Sequence, residues 1–253
     1  MAISVFKRYE KKFLLTAEQY RETVDYVQQY MDFDKYCVNE QDYSLLNLYF
    51  DTPENLLIIQ STNQPRYKEK LRLRAYFPPK TPDDKVFFEI KKKYKGIVTK
   101  RRAVMRYGEA LELIETGKAP QLKKETYIDN QVAKEIEFMF KRYEGLAPKI
   151  FIAYDRMAMF AKDNPEFRLT FDKNIRTRRE NVNLDYGDYG TQLLPEGYYL
   201  MEIKISDAVP LWLTSYLSEK KIFMTSFSKY GKEYQGFVTG KPIESVILRS
   251  DDV

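Results

Sequence analysis

Two stretches in which charged and apolar residues alternate constrain the fold of this chain more than any other feature. The segment KLRLRAY at 70–76 places Lys70, Arg72 and Arg74 on one side of a strand and apolar residues on the other. The segment VFFEIKKKYKGIVTKRR at 86–102 repeats this alternation on both sides of a turn at Lys95-Gly96. The pattern predicts adjacent antiparallel strands, one face of which carries a row of ionic residues.

Similar strands are predicted along the rest of the chain, at 5–14, 43–50, 150–160, 166–172 and 198–205. Most of them also divide ionic from apolar residues. Amphipathic helices are expected between them. One begins at the Thr16 cap and runs to about Met31, and others lie over 108–116, 121–143 and 207–221. We see no internal repeat and no linker, so one domain over residues 1–253 is expected.

Composition supports a folded protein and excludes several kinds of enzyme. Hydrophobic residues make up 43% and aromatic residues 15%, which is enough for a sizeable core. The chain has no histidine, which excludes Ser-His-Asp triads and HExxH zinc sites, and it has no GxxxxGK[ST] phosphate loop. Cys37 is the one cysteine, and neither a signal peptide nor a membrane-spanning run is visible, so we expect a cytoplasmic protein.

The charge pattern predicts an α+β fold built on a closed antiparallel β-barrel of about eight strands. Amphipathic helices would cover the apolar outer face of the strands. Arginine, lysine and a few glutamates would then line the lumen. Packed cations lose hydration and repel one another, so such a lumen requires an anionic occupant. The net charge of +5 agrees with an anionic partner, and a chain of phosphates fits arginine forks and lysine point charges well.

These features resemble the triphosphate tunnel (CYTH-like) superfamily and, within it, the catalytic domain of the vacuolar transporter chaperone (VTC) family of polyphosphate polymerases. The similarity runs from about Arg8 to Gly236. It rests on the order and spacing of the motifs RYEKKF, LYFD, RLR, FFEIK, TKRR, AYDRMAMF, FRLTFD, LMEIK and SFSKY. The amino-terminal motif E-x-E-x-K departs from the family because Arg8 replaces its first acid, whereas Glu10 and Lys12 remain.

The resemblance implies the roles of individual residues. The residues expected to act on a triphosphate are Arg72, Arg74, Lys91, Arg156, Arg168 and Glu202. Those expected to line the same substrate path are Lys12, Lys100, Arg102, Lys204 and Lys229. Glu202, followed by Glu10, is expected to bind Mn²⁺ or Mg²⁺ together with phosphate oxygens. Glu89 could also be a ligand, although pairing with a neighbouring cation is favoured.

Three functions remain open from the sequence. The first is a polyphosphate polymerase that moves the γ-phosphate of ATP onto a growing chain. The second is a hydrolase of inorganic or nucleoside triphosphates, in which Glu10 would orient water. The third is a non-catalytic binder of polyphosphate. A nucleic-acid partner is not expected, because the basic residues alternate on strands without an aromatic stacking platform.

Overall fold

The computed structural model describes residues 9–37, 41–63, 66–95, 97–122, 127–206 and 208–241. Residues 5–8 of the first predicted strand, Gly96 of the predicted turn, residues 123–126 of the predicted helix over 121–143 and Asp207 of the last predicted helix lie outside these ranges. The strands are β1 (Tyr9–Thr16), β2 (Met31–Phe33), β3 (Tyr43–Asp51), β4 (Tyr67–Ala75), β5 (Lys85–Tyr94), β6 (Ile97–Arg106), β7 (Ala147–Ala161), β8 (Arg168–Arg178), β9 (Thr191–Gln192) and β10 (Tyr198–Ile205). The helices are α1 (Ala17–Val27), α2 (Leu56–Thr62), α3 (Tyr107–Thr116), α4 (Tyr127–Arg142), α5 (Leu211–Glu219) and α6 (Lys229–Thr239).

The α+β class and the antiparallel sheet are confirmed, but the closed barrel is wrong as a statement about hydrogen bonding. Ten strands share one sheet, in which eight follow the order β1-β10-β8-β7-β3-β4-β5-β6. The short strands β2 and β9 pair with β7 and β8 at the side of this path. Within the described residues no ladder joins β1 to β6, so backbone hydrogen bonds leave the path open. Alternating side chains fix the faces of strands, whereas closure depends on how the end strands meet.

The chain divides into two compact units, and the second comprises Leu45–Ala153 and Thr177–Thr191. Its core contains the apolar faces of β3 to β6, with Leu48, Leu73 and Phe88 fully buried. Helices α2, α3 and α4 lie against these strands. Helix α4 adds an apolar stripe to this core, which contains Val132, Ile136 and Met139. In this unit the helices therefore cover the apolar side of the strands, and the ionic side chains occupy the other side.

The first unit consists of the described residues of Met1–Ser44, Tyr154–Arg176 and Gln192–Val253. Its core contains the apolar faces of β1, β8 and β10, including Phe13, Phe171 and Met201. Helices α1 and α5 add Val27 and Leu213 to that core. Whether the whole chain behaves as one domain stays a prediction.

Residues at the helix boundaries account for where several helices begin or end. Thr16 caps α1 through a capping box with Gln19, as predicted, but the helix ends at Val27 because Met31 begins a strand that pairs with β7. Gly117 ends α3 with φ of 65°, a backbone conformation that glycine adopts readily. The described residues contain no helix that is both long and apolar enough to cross a membrane.

Candidate functional site

The second unit carries a group of cations around one buried acid, the Glu89 cluster, which consists of Arg72, Arg74, Glu89, Lys100 and Arg102. Strand register builds it. Arg72 lies directly opposite Glu89 in the β4–β5 ladder, and Glu89 lies directly opposite Arg102 in the β5–β6 ladder. Residues that face each other across a ladder project to the same side of the sheet. The three side chains therefore meet on the side away from the apolar core.

The carboxylate of Glu89 accepts bonds from three cations and is only 1% exposed. Arg72 donates from Nε to Oε2 at 2.6 Å, Arg102 donates from Nε to Oε1 at 2.7 Å, and Lys100 Nζ lies 2.5 Å from Oε1. Burial alone would raise the pKa of Glu89, but the cations of the cluster hold it well below its usual range. Glu89 is therefore a fixed anion that holds cations together, and not an open metal ligand.

Neutral polar groups orient two of these arginines. Asn47 is fully buried, accepts from Arg74 Nε at 2.8 Å and donates from its own amide nitrogen to the Ile152 carbonyl at 3.0 Å. The Tyr49 hydroxyl accepts from Arg72 at 3.2 Å. These bonds fix the orientation of both guanidinium groups on the ionic face, where each group carries five N–H donors.

Two lysines extend this ionic face. Lys91 is exposed and lies directly opposite both Lys70 and Lys100 in the two ladders. Loss of hydration, followed by repulsion from Arg72 and Arg102, lowers the pKa of Lys100 to about 7, although Glu89 opposes the shift. A phosphate close to Lys100 would favour its charged form.

The first unit carries a second group, the Glu202 cluster, which consists of Lys12, Arg156, Asp172, Glu202, Lys204 and Lys229. Lys12 lies directly opposite Glu202 in the β1–β10 ladder, and Glu202 lies directly opposite Thr170 in the β10–β8 ladder. The alternating neighbours Phe13, Met201 and Phe171 project into the core. The predicted division of β8 and β10 into an ionic and an apolar face is therefore confirmed, and Glu10 and Lys12 share one face of β1 as expected.

Four cations surround the Glu202 carboxylate, which is 5% exposed. The nitrogens of Lys12, Lys204, Lys229 and Arg156 lie 3.2, 3.3, 3.3 and 3.6 Å from its oxygens. Burial would raise the pKa of Glu202, but these cations hold it well below its usual range. Burial also lowers the pKa of Lys204 to about 8, against the attraction of Glu202.

Asp172 connects two of the same cations. It is fully buried and forms a bidentate pair with Arg156 at 2.6 and 2.7 Å, and Lys229 Nζ lies 2.5 Å from Oδ2. The ring of Tyr154 faces both cations, 5.1 Å from the Arg156 guanidinium and 4.5 Å from Lys229 Nζ. Asp172 thus holds Arg156 and Lys229 in place, as an ion-paired scaffold residue would.

Two predicted residues lie at the margin of this cluster. Arg168 is exposed, lies directly opposite Lys204 in the β10–β8 ladder and donates from Nε to the Pro165 carbonyl at 3.3 Å. Glu10 is also exposed, and one of its oxygens lies 3.3 Å from Lys12 Nζ. Both side chains are accessible to a dissolved ligand.

Comparison with known proteins places the chain in a family. The model of the VTC domain matches residues 7–238. The chain belongs to the VTC domain family. The resemblance drawn from its motifs is therefore confirmed.

One solved structure supports the fold of this VTC domain. A candidate adenylate cyclase from Bacillus halodurans superposes with a TM-score of 0.53 at 13% identity, and the match covers 88% of this chain and 95% of that one. A candidate adenylyl cyclase from Hippeastrum, whose title reports a dominant triphosphatase activity, gives a TM-score of 0.48 at 19% identity and covers 93% and 98% of the two chains. No curated protein matches the sequence.

The acids of this VTC domain fit a divalent metal only together with phosphate. In the part of the chain that the structure describes, no three acidic, histidine or cysteine side chains are grouped as a preformed metal site. Glu10 and Glu202 come from neighbouring strands, and both contact Lys12. Magnesium is often bound by one or two carboxylates, with substrate phosphates and water as the remaining ligands. Glu202 and Glu10 satisfy that requirement, whereas Glu89 does not.

The predicted site residues thus fall into two sets. The second unit holds Arg72, Arg74, Lys91, Lys100 and Arg102, and the first unit holds Glu10, Lys12, Arg156, Arg168, Glu202, Lys204 and Lys229. Their arrangement in one lumen stays a prediction. Sequence reasoning missed Asn47, whose signal was a polar residue inside the apolar strand LLNLYF, on the face that carries Arg74.

Proposed function

We propose that this VTC domain is a phosphate-transferring enzyme, and specifically an ATP-dependent polyphosphate polymerase. One observation carries the proposal. In each unit a buried carboxylate gathers three or four cations, and the ionic face holds more basic than acidic residues. Guanidinium and ammonium groups held in this way are suited to the closely spaced charges of a phosphate chain. Membership of the VTC family supports the same substrate class.

The proposed roles follow from the chemistry of each side chain. In the second unit, Arg72, Arg74 and Lys91 bind oxygens of the ATP triphosphate, and Lys100 and Arg102 bind further phosphates along the path. In the first unit, Arg156 and Arg168 bind triphosphate oxygens, and Lys12, Lys204 and Lys229 neutralise phosphate charge. Asn47 and Asp172 orient Arg74 and Arg156 before substrate binds. This prior orientation lowers the entropy lost on binding.

The reaction breaks one phosphoanhydride bond, in ATP, and forms another, in the polyphosphate chain. An oxygen of the terminal phosphate on the acceptor chain attacks the γ-phosphorus of ATP. The bond between that phosphorus and the β-bridging oxygen breaks, ADP leaves, and the chain gains one phosphate. Charge spreads over the oxygens of the transferred group, so positioned cations stabilise the transition state. The attacking oxygen is already anionic and requires no base.

A divalent metal would bind to two acids of the first unit. Glu202 and Glu10 would hold Mn²⁺ or Mg²⁺, and the bound ion would supply positive charge to phosphate oxygens. The lysines now paired with these acids, above all Lys12, would then be free to contact the substrate.

The acids favour transfer over hydrolysis. A hydrolase needs a group that orients or deprotonates water. The pKa values of Glu89 and Glu202 are held low by neighbouring cations, which makes both carboxylates weak bases. The exposed Glu10 is the acid that would serve a triphosphatase. Hydrolysis of triphosphate therefore remains the alternative activity at this site.

Incubation of the purified protein with ATP labelled at the γ-phosphate, in Mn²⁺ or Mg²⁺, tests the proposal. The label should appear in a polymer that migrates as a ladder on a gel. Arg72→Gln should lower polymer formation at least 100-fold, because Arg72 acts on the transferred group. Arg101→Gln is the matched control, since Arg101 lies on the opposite face, where it pairs with Glu135. Label found as free phosphate would favour the triphosphatase, and no turnover would favour the non-catalytic binder.

A further inference from the structure

The ionic face of β4, β5 and β6 continues beyond Glu89 as a set of lysines, here named the lysine ladder. Of the six positions that follow on this face towards the β5–β6 turn, five are lysine and one is Val98. The lysines are Lys68, Lys70, Lys91, Lys93 and Lys100. Only Lys91 and Lys100 belong to the site derived above, so three residues of the ladder have no role in it.

Register places these like charges directly opposite one another. Lys68 faces Lys93, and Lys91 faces Lys70 on one side and Lys100 on the other. Like charges at directly opposed positions destabilise a sheet. Lys68 shows the effect, because burial and then repulsion from Lys93 and Lys91 lower its pKa. Its ammonium donates to the Ser61 carbonyl at 3.0 Å, which is a neutral acceptor. Opposed like charges of this kind attract a polyanion that lies across them.

We propose that the lysine ladder binds the part of an inorganic polyphosphate chain that extends beyond the terminal triphosphate. The inference rests on the proposed function and adds Lys68, Lys70 and Lys93 to it. Same-face residues repeat about every 6.8 Å along a strand, so the ladder offers successive rows of charge to a linear anion. Because lysine ammonium groups are flexible point charges, they hold such a chain without fixing its register, and the chain can advance as it grows.

The chemistry of the ladder favours inorganic polyphosphate over single-stranded nucleic acid. Proteins bind single strands without sequence preference by combining basic grooves with aromatic rings on which bases stack. The aromatic residues at the same end of these strands, Tyr67 and Tyr94, face each other at positions of the opposite parity. The ladder therefore presents charge without a stacking surface, which suits an anion that has no bases.

Binding measured without ATP or metal separates this inference from catalysis. The probes are tripolyphosphate and a long inorganic polyphosphate, titrated at several salt concentrations. The double variant Lys68→Gln/Lys93→Gln should weaken binding of the long chain about tenfold or more and flatten its salt dependence. Affinity for tripolyphosphate should change less than twofold. The matched control is Lys92→Gln/Lys134→Gln, which removes equal charge from the pocket beside α4 on the opposite face.

Three results would overturn the assignment. Equal losses for both probes would place these lysines in the triphosphate site, and an unchanged long-chain affinity would leave them without a role. A single-stranded oligonucleotide that bound as tightly as polyphosphate, with the same loss in the variant, would make the ladder a general polyanion surface. Unfolding curves and the single variant Lys93→Gln identify any loss caused by misfolding. A wild type that bound long polyphosphate but never transferred phosphate would refute the polymerase and leave the ladder intact.

Discussion

At the scale of single residues, the two buried acids explain why so many cations stay in order. Glu89 and Glu202 each lie among basic side chains and carry strongly lowered pKa values. A carboxylate in this position sets the spacing of the guanidinium and ammonium groups around it. The sequence pattern places these acids on the correct faces but does not distinguish a metal ligand from an ion-paired acid. That difference depends on distances of 2.5 to 3.6 Å.

Glu89→Gln should destabilise the protein by roughly 3 kcal/mol, at the low end of the range for a broken buried ion pair, because its cations are partly exposed. The variant removes the negative charge that holds Arg72, Lys100 and Arg102 together. Urea unfolding measures the loss, and added tripolyphosphate should restore part of it. Glu135→Gln, which breaks a surface pair with Arg101, should cost less than about 1 kcal/mol. A Glu89→Gln protein as stable as the wild type would contradict the role of this acid.

The same acid should make stability depend on pH. Its folded-state pKa is lower than its value of about 4.3 in the unfolded chain, so its contribution is complete above that pH and is lost as the pH falls. Below about pH 4, Glu89→Gln should show a slope of unfolding free energy against pH that is smaller by up to about 1.36 kcal/mol per unit. Unfolding curves at a series of acidic pH values provide the test. Parallel slopes for wild type and variant would mean that Glu89 titrates normally in the folded protein.

At the scale of elements, the alternation of charged and apolar residues predicted the longer strands well, because it reflects which face of a strand is buried. The strands that carry Arg72, Glu89 and Glu202 lie where the pattern placed them. The short strands β2 and β9 were missed. They contain three and two residues, which is too short for an alternation of charged and apolar residues to be recognised. Helix α6 was not among the predicted helices. Its start is set by Ser228, which accepts from the Gly231 backbone N–H, and this cap was overlooked. Closure of the sheet depends on contacts far apart in sequence, which periodicity does not record.

The cap of α6 should influence the site, because Lys229 is the first residue of that helix and is 8% exposed within the Glu202 cluster. Ser228→Ala should cost about 1 kcal/mol of stability and lower turnover several-fold through a less ordered Lys229. Thermal unfolding and turnover are measured together. Thr239→Ala removes a hydroxyl at the far end of the helix and should leave turnover unchanged. Equal effects of both variants would show that the cap matters only for general stability.

At the scale of the whole molecule, the excess of positive charge links the stability of the folded protein to the binding of an anionic ligand. The chain has a net charge of +5, and each unit concentrates basic residues on one face of its strands. Tripolyphosphate should therefore stabilise the folded protein, by about 2.7 kcal/mol at a concentration of 100 Kd. The shift should shrink as salt rises, because salt screens exposed charges. A melting temperature that does not respond to tripolyphosphate at low salt would contradict anion binding by these faces.

Phosphorus NMR on the purified protein, ATP and Mn²⁺ or Mg²⁺ tests the central claim most directly. The polymerase predicts signals of internal chain phosphates that grow as ATP falls, with one ADP formed for each phosphate added and little free orthophosphate. Arg72→Gln should abolish these signals, whereas Arg101→Gln should retain them. An orthophosphate signal that rises in step with ADP, without internal phosphates, would contradict the account and assign the site to triphosphate hydrolysis.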